Sequence, residues 1–143
     1  MWNAMPSIRS RPLNLVFEIP TSRTQKFWQW IEGGEFHTTR CRGCGTLLFP
    51  PVADCPGCLS SEMEWVKLEG RGVVDAFTHV IARPTSFQQH EPYTIAIVRL
   101  REGVRVLAWL MDVDITKVEV GMSVTLEVGK TPEGEASYWF VPS

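Results

Sequence analysis

Cys41-Arg42-Gly43-Cys44 and, beyond the ten residues Gly45–Asp54, Cys55-Pro56-Gly57-Cys58 decide how this chain is read. These are its only four cysteines. Two thiolates three positions apart on a tight turn face one ion, and two such turns complete a tetrahedral four-thiolate shell. Gly45, directly after Cys44, can take a positive φ and so leave backbone N–H groups free to bond the sulfurs. Two disulfides of a secreted protein are the alternative, but no secretory context supports it. Zinc is the expected metal, one per chain, with iron in a rubredoxin-like site the second choice. A shell closed by four protein ligands has no position for water or substrate, so the ion is expected to be structural.

Working outward, the segment between the pairs, with Leu47-Leu48-Phe49-Pro50-Pro51, reads as a short strand out and back, giving a small ribbon over residues 36–62. Upstream, Phe27, Trp30 and Ile31 recur at helical spacing before Gly33-Gly34, and Ser22 and Gln25 have capping-box spacing. Residues 1–20 carry Pro6, Pro12 and Pro20 and read as an arm, so the first unit, 1–35, is an arm plus a short helix. Downstream the period changes to two. Val66, Leu68 and Val73–Val80 suggest one long first strand bent at Gly70 and Gly72. Thr94–Leu100 and Val104–Val113 suggest a hairpin about Glu102-Gly103 that is apolar on both faces, and so covered on both. Val124, Leu126 and Val128 alternate with polar residues, and Ser137–Val141 is a last strand. The fold class expected is mainly β: an N-terminal helix, a rubredoxin-like zinc ribbon, then a five-stranded OB-fold barrel over 63–143.

The helix with Phe27-Trp28, Cys41-Arg42-Gly43-Cys44-Gly45, Phe49-Pro50-Pro51 and Cys55-Pro56-Gly57-Cys58, followed by Gly70-Arg71-Gly72-Val73-Val74, Pro92-Tyr93 and Gly121-Met122, resembles one bacterial and archaeal family. It is that of acyl-CoA-associated OB-fold proteins with an N-terminal rubredoxin-like zinc ribbon. The resemblance covers about residues 24–143. It implies a non-catalytic accessory subunit that binds acyl-CoA, a thiolase-superfamily enzyme, or both. The partner would be a thiolase, a hydroxymethylglutaryl-CoA synthase or a thiolase-like aldolase, in acyl-CoA, lipid or steroid metabolism. Leu59 departs from the family pattern, which usually has Gly there, so the second knuckle is expected to turn differently.

The residues themselves show no catalytic constellation. All four thiols are committed to metal, and there is no Gly-x-Ser-x-Gly, His-Glu-x-x-His, phosphate loop or dinucleotide fingerprint. His37 lies four residues before Cys41 but finds the shell already filled; His79 falls in a strand and His90 in a loop. Binding features are stronger. Trp28, Trp30, Phe49 and Trp109 are candidates to line a channel for an acyl chain, against the plainer reading that they fill the core. Arg99, Arg101 and Arg105 surround the hairpin turn, either as a solvated edge or as a grip for the phosphates of CoA. A single-stranded nucleic-acid binder is the competing class for an OB barrel. Against it, the net charge is −2 and Glu102 interrupts the basic residues, so nucleic acid is not the expected partner. The apolar helix also suits self-association into a homo-oligomer. No stretch approaches the ~20 apolar residues of a membrane span, and Met1–Pro20 lacks an apolar run long enough for a signal peptide, so the expected location is cytoplasmic.

Overall fold

The computed structural model describes residues 23–143. The arm 1–20 and the capping residue Ser22 lie outside the described residues. Helix α1 (Gln25–Glu32) follows Thr24 at its N-cap, whose side chain makes no capping bond. The helix is held by its apolar stripe instead: Phe27 and Ile31 are buried, and the chain leaves it at Gly33 and Gly34.

A three-stranded sheet comes next, in the order β2-β1-β3. Strand β1 (His37–Cys41) delivers the first metal-binding turn, β2 (Leu47–Leu48) returns against it, and β3 (Met63–Lys67) pairs antiparallel along its other side. Two expectations are corrected here. The segment between the cysteine pairs is not a strand out and back: it has only the two residues of β2, whose partner lies before the first pair. Nor do residues 65–80 form one bent strand. Met63–Lys67 pairs with β1 in the ribbon sheet, and a separate strand β4 (Arg71–Val80) opens the barrel. Periodicity runs unbroken across Gly70 because both strands alternate, and alternation does not say which sheet a strand joins.

The remaining strands are β5 (Tyr93–Leu100), β6 (Arg105–Leu110), β7 (Ser123–Lys130) and β8 (Ala136–Pro142). They close with β4 into a barrel of order β4-β5-β6-β8-β7, the five-stranded OB arrangement. Val74, Val98, Leu100, Val106, Val124 and Phe140 fill its interior. Gly72 permits the closure: it pairs with Leu100 on one side and Val124 on the other, and a Cβ there would lie 2.4 Å from the Arg99 carbonyl oxygen. Strand β4 then shifts register between Val74 and Ala76, a bulge that sets Asp75 apart from the ladder.

One end of the barrel is plugged by aromatic rings from every part of the chain. Phe27 of α1 meets Phe36 at 5.8 Å, Phe49 at 6.0 Å and Tyr138 of β8 at 6.0 Å, all edge-on. Helix, ribbon and barrel therefore share one core. The outer face of the β5–β6 hairpin, by contrast, is not covered by the described residues. Leu107 is 57% exposed and Ile97 37%, because helix and ribbon sit at the barrel end and leave this wall open.

Candidate metal centre and ligand groove

The metal site is built from two matching knuckles. The N–H groups of Cys44 and Gly43 point at the Cys41 sulfur, that of Thr46 at Cys44, and that of Ser60 at Cys58. Each knuckle needs a left-handed residue after its second cysteine. Gly45 supplies it in the first, at φ 76°, and Leu59 in the second, at φ 63°. The second knuckle thus turns the same way despite lacking glycine. The backbone strain is of order 1 kcal/mol, and the leucine side chain is left 81% exposed.

The four sulfurs all lie within 4.8 Å of one another. Cys41 and Cys58 are 3.4 Å apart and Cys44 and Cys55 3.7 Å. These separations are far too long for disulfides and close to the ~3.8 Å edge of a tetrahedron with metal–sulfur bonds of about 2.3 Å. The charge balance also fits a cation. The Thr46 hydroxyl, 3.1 Å from the Cys44 sulfur, and the Thr46 N–H lower that thiol to about 6. Cys58 receives the lowering N–H of Ser60, yet its crowded neighbours, chiefly Cys41, together with burial push it up to about 11. Four thiolates this close cannot all ionise without a bound positive ion. The donor set is that of a closed structural zinc site, in which all four positions are protein ligands. His37 stands apart from the four sulfurs: it stacks on Trp30 at 3.8 Å and faces Glu35 at 3.6 Å.

A groove of about 1010 Å³ runs between the barrel, Trp28 of α1 and the turn after β7. Trp28, Trp109, Trp139, Phe87, Leu107 and Met111 line it, with His90 and Glu133 at the rim. Beside it Tyr93 and Trp109 stack at 4.3 Å and 8°, with Phe87 edge-on to both. Of the four aromatic residues proposed from sequence, Trp28 and Trp109 meet in this groove. Trp30 packs against His37 and Trp65, and Phe49 belongs to the plug. Phe87 and Met111, exposed apolar residues that no sequence signal singled out, complete the lining with the half-buried Trp139.

The arginines divide too. Arg99 and Arg105 face each other across the hairpin, and both reach the carboxylate of Asp75, at 3.7 Å and 2.8 Å. Arg101 sits on the turn, and its N–H donates to the Arg71 carbonyl. His79 bonds the Thr94 hydroxyl at 3.0 Å, and His90 lies 3.7 Å from Glu133. The Thr94 hydroxyl beside His79 belongs to a buried residue, 7% exposed, and His90 has no hydroxyl or thiol among its described hydrogen bonds and ion pairs. No described helix is long and apolar enough to cross a membrane.

A four-cysteine ribbon sharing its core with an OB barrel defines a class of protein by fold and site together. Residues 34–64 match the ChsH2 rubredoxin-like zinc ribbon domain and residues 65–129 the ChsH2 C-terminal OB-fold domain. The chain belongs to the DUF35 family. It is 35% identical to a DUF35 domain-containing scaffold protein of Methanothermobacter thermautotrophicus, over 71% of this chain and 80% of that one. It is 40% identical to another from Methanocaldococcus jannaschii, over 59% of this chain but only 61% of the relative's length. Subunits of enzymes are similar as well. A 3-oxo-4,17-pregnadiene-20-carboxyl-CoA hydratase alpha subunit of Mycobacterium tuberculosis is 32% identical over 81% of this chain and 37% of its own. The benzoylsuccinyl-CoA thiolase subunit BbsA of Thauera aromatica is 34% identical over 50% and 48%. Among solved structures, a chain of the Ltp2-ChsH2(DUF35) aldolase superposes with TM-score 0.72 at 28% identity, over 87% of this chain and 98% of that one.

Proposed function

We propose that this chain is a non-catalytic accessory subunit of a thiolase-superfamily enzyme and helps to hold its acyl-CoA. The observation that carries the reading is the enclosure of all four thiols in one closed metal site. It leaves a chain related to CoA-enzyme subunits without a thiol nucleophile. What remains for it is binding. The Trp28–Trp109 groove offers apolar walls for an acyl group, and its volume lies at the upper end of ordinary ligand sites. Arg99, Arg101 and Arg105 offer guanidinium groups for phosphates, although Asp75 already neutralises part of that charge. The ribbon acts as a rigid brace that fixes α1 against the barrel, and the exposed outer faces are left for the partner.

The test is co-expression with a thiolase-superfamily protein from the same source, followed by size-exclusion chromatography and acyl-CoA turnover with and without this chain. Co-elution and a partner that loses activity or stability alone are expected. A partner that elutes alone and is fully active refutes the reading.

A further inference from the structure

The groove lies where the barrel fails to pair. Strands β6 and β8 run parallel with a single register pair, Leu110–Phe140, and the N–H of Met111, just past β6, donates to the Phe140 carbonyl. Towards their N-terminal ends the two strands splay. The bond from the Leu100 N–H to the Val104 carbonyl sets the β5–β6 alternation. The even residues of β6 bond β5, and Arg105, Leu107 and Trp109 turn their N–H groups to the seam. The bonds from Thr131 to Glu135 and from Ser143 to Ser123 set the β7–β8 alternation, which turns Ala136 and Tyr138 to the same seam. Among the described residues neither Arg105 nor Leu107 has a register partner on β8, where the one pair is Leu110–Phe140. An unpaired strand edge bordering an apolar groove offers its N–H and C=O groups to an extended ligand.

We infer that this seam seats the amide-bearing arm of a pantetheine-type thioester, lying along the edge of β6 with the Leu107 N–H as its main donor. The inference rests on the accessory-subunit reading and adds the manner of binding. The order of groups along β6 matches such a ligand from end to end. Arg105, with Arg99 beside it, stands at one end; only its Nε is bonded, to Asp75. The open backbone edge follows, and Trp109 with Phe87 and Trp139 stands at the other end, about 13 Å away for four strand residues. Anion, amides and apolar acyl group would each meet a matching stretch. An extended peptide would use the amide edge but has no need of a cationic end and an aromatic end in that order.

The test uses the zinc-loaded full chain, titrated with hexanoyl-pantetheine and hexanoyl-CoA by tryptophan fluorescence. Leu107→Pro removes the seam-facing N–H and no β5–β6 ladder bond, whereas Leu107→Ala keeps the N–H and trims the side chain. Saturable binding of both ligands is expected, weakened about tenfold by Leu107→Pro, the upper end for one hydrogen bond, and much less by Leu107→Ala. Amide exchange at Leu107 should slow on ligand binding in the unmodified chain, a readout that stands even if Leu107→Pro does not fold. Equal affinity in Leu107→Pro, or no added protection at Leu107, overturns the inference. So does a Leu107 amide already protected without ligand, since another segment would then occupy the edge. So too does Leu107→Pro if it abolishes enzyme association but spares thioester binding, since the seam would then hold a partner strand. A chain that binds its enzyme partner without any of the thioester effects removes the seam site and leaves the accessory-subunit reading standing.

Discussion

Replacing Phe27 by alanine tests whether helix, ribbon and barrel are one cooperative unit. Phe27 is 4% exposed and its ring meets Phe36 and Phe49 from the ribbon side and Tyr138 from the barrel. Truncating a buried phenylalanine costs about 3–5 kcal/mol. Near-complete burial and three edge-on partners from separate elements leave the cavity little means of collapsing, which places this site at about 4 kcal/mol. For a chain of this size each kcal/mol lowers the midpoint by roughly 4 °C, so a fall of roughly 15 °C is expected. The assay is thermal and urea unfolding of the zinc-loaded protein, followed in parallel by tryptophan fluorescence and far-ultraviolet circular dichroism. Both probes should shift together in a single transition. A loss below about 1.5 kcal/mol, or a helix signal that melts early while the barrel signal stays put, would refute the shared core.

Other perturbations probe separate parts of the same argument. Gly72→Ala forces a Cβ to 2.4 Å from the Arg99 carbonyl oxygen and should cost about 3 kcal/mol, the upper range for overpacking; urea unfolding with a smaller effect than an exposed control would count against the close approach. Leu59→Gly should stabilise the ribbon by about 0.5–1 kcal/mol, the left-handed strain less the added freedom of glycine in the unfolded chain; a loss of stability would show that the exposed leucine packs on something. Elemental analysis should find about one zinc per chain, and Cys44→Ser should unfold residues 36–62 first, as read by loss of amide protection there. Because the thiols must shed protons to bind zinc, affinity falls as pH falls; in the metal-free chain the Thr46 hydroxyl and N–H already lower Cys44 to about 6, while crowding by the other thiols holds Cys58 up at about 11. Zinc affinity that rises on acidification would contradict that site. Finally, a labelled single-stranded oligonucleotide should show no binding even at low ionic strength, since Asp75 holds two of the hairpin arginines.

The metal centre was legible because its chemistry is local. Two turns with cysteines three apart need no distant residue to be recognised, and the structure brings their sulfurs within 4.8 Å. The barrel strands were legible for a related reason: half-buried strands alternate, and Val124, Leu126 and Val128 do so. The trouble came wherever the answer depended on a partner strand. Met63–Lys67 has the pattern of a barrel strand and joins the ribbon. The hairpin of β5 and β6 is apolar on both faces, yet the described residues leave one face open. Leu59 showed a missing glycine, and only the backbone showed that leucine takes the same left-handed turn.

From sequence alone, then, come the tetrahedral thiolate site, the strand content of the barrel and the family, all set by residue type and short-range spacing. Tertiary structure decided which aromatic residues face a groove and which fill the core. Trp28 and Trp109 are 81 positions apart and share one cavity, while Trp30, two residues from Trp28, is turned to the ribbon. It also decided that β6 and β8 part after one pair, because barrel closure fixes strand separation through the packing of all five strands. No local pattern of residues records where a closed sheet is left unpaired.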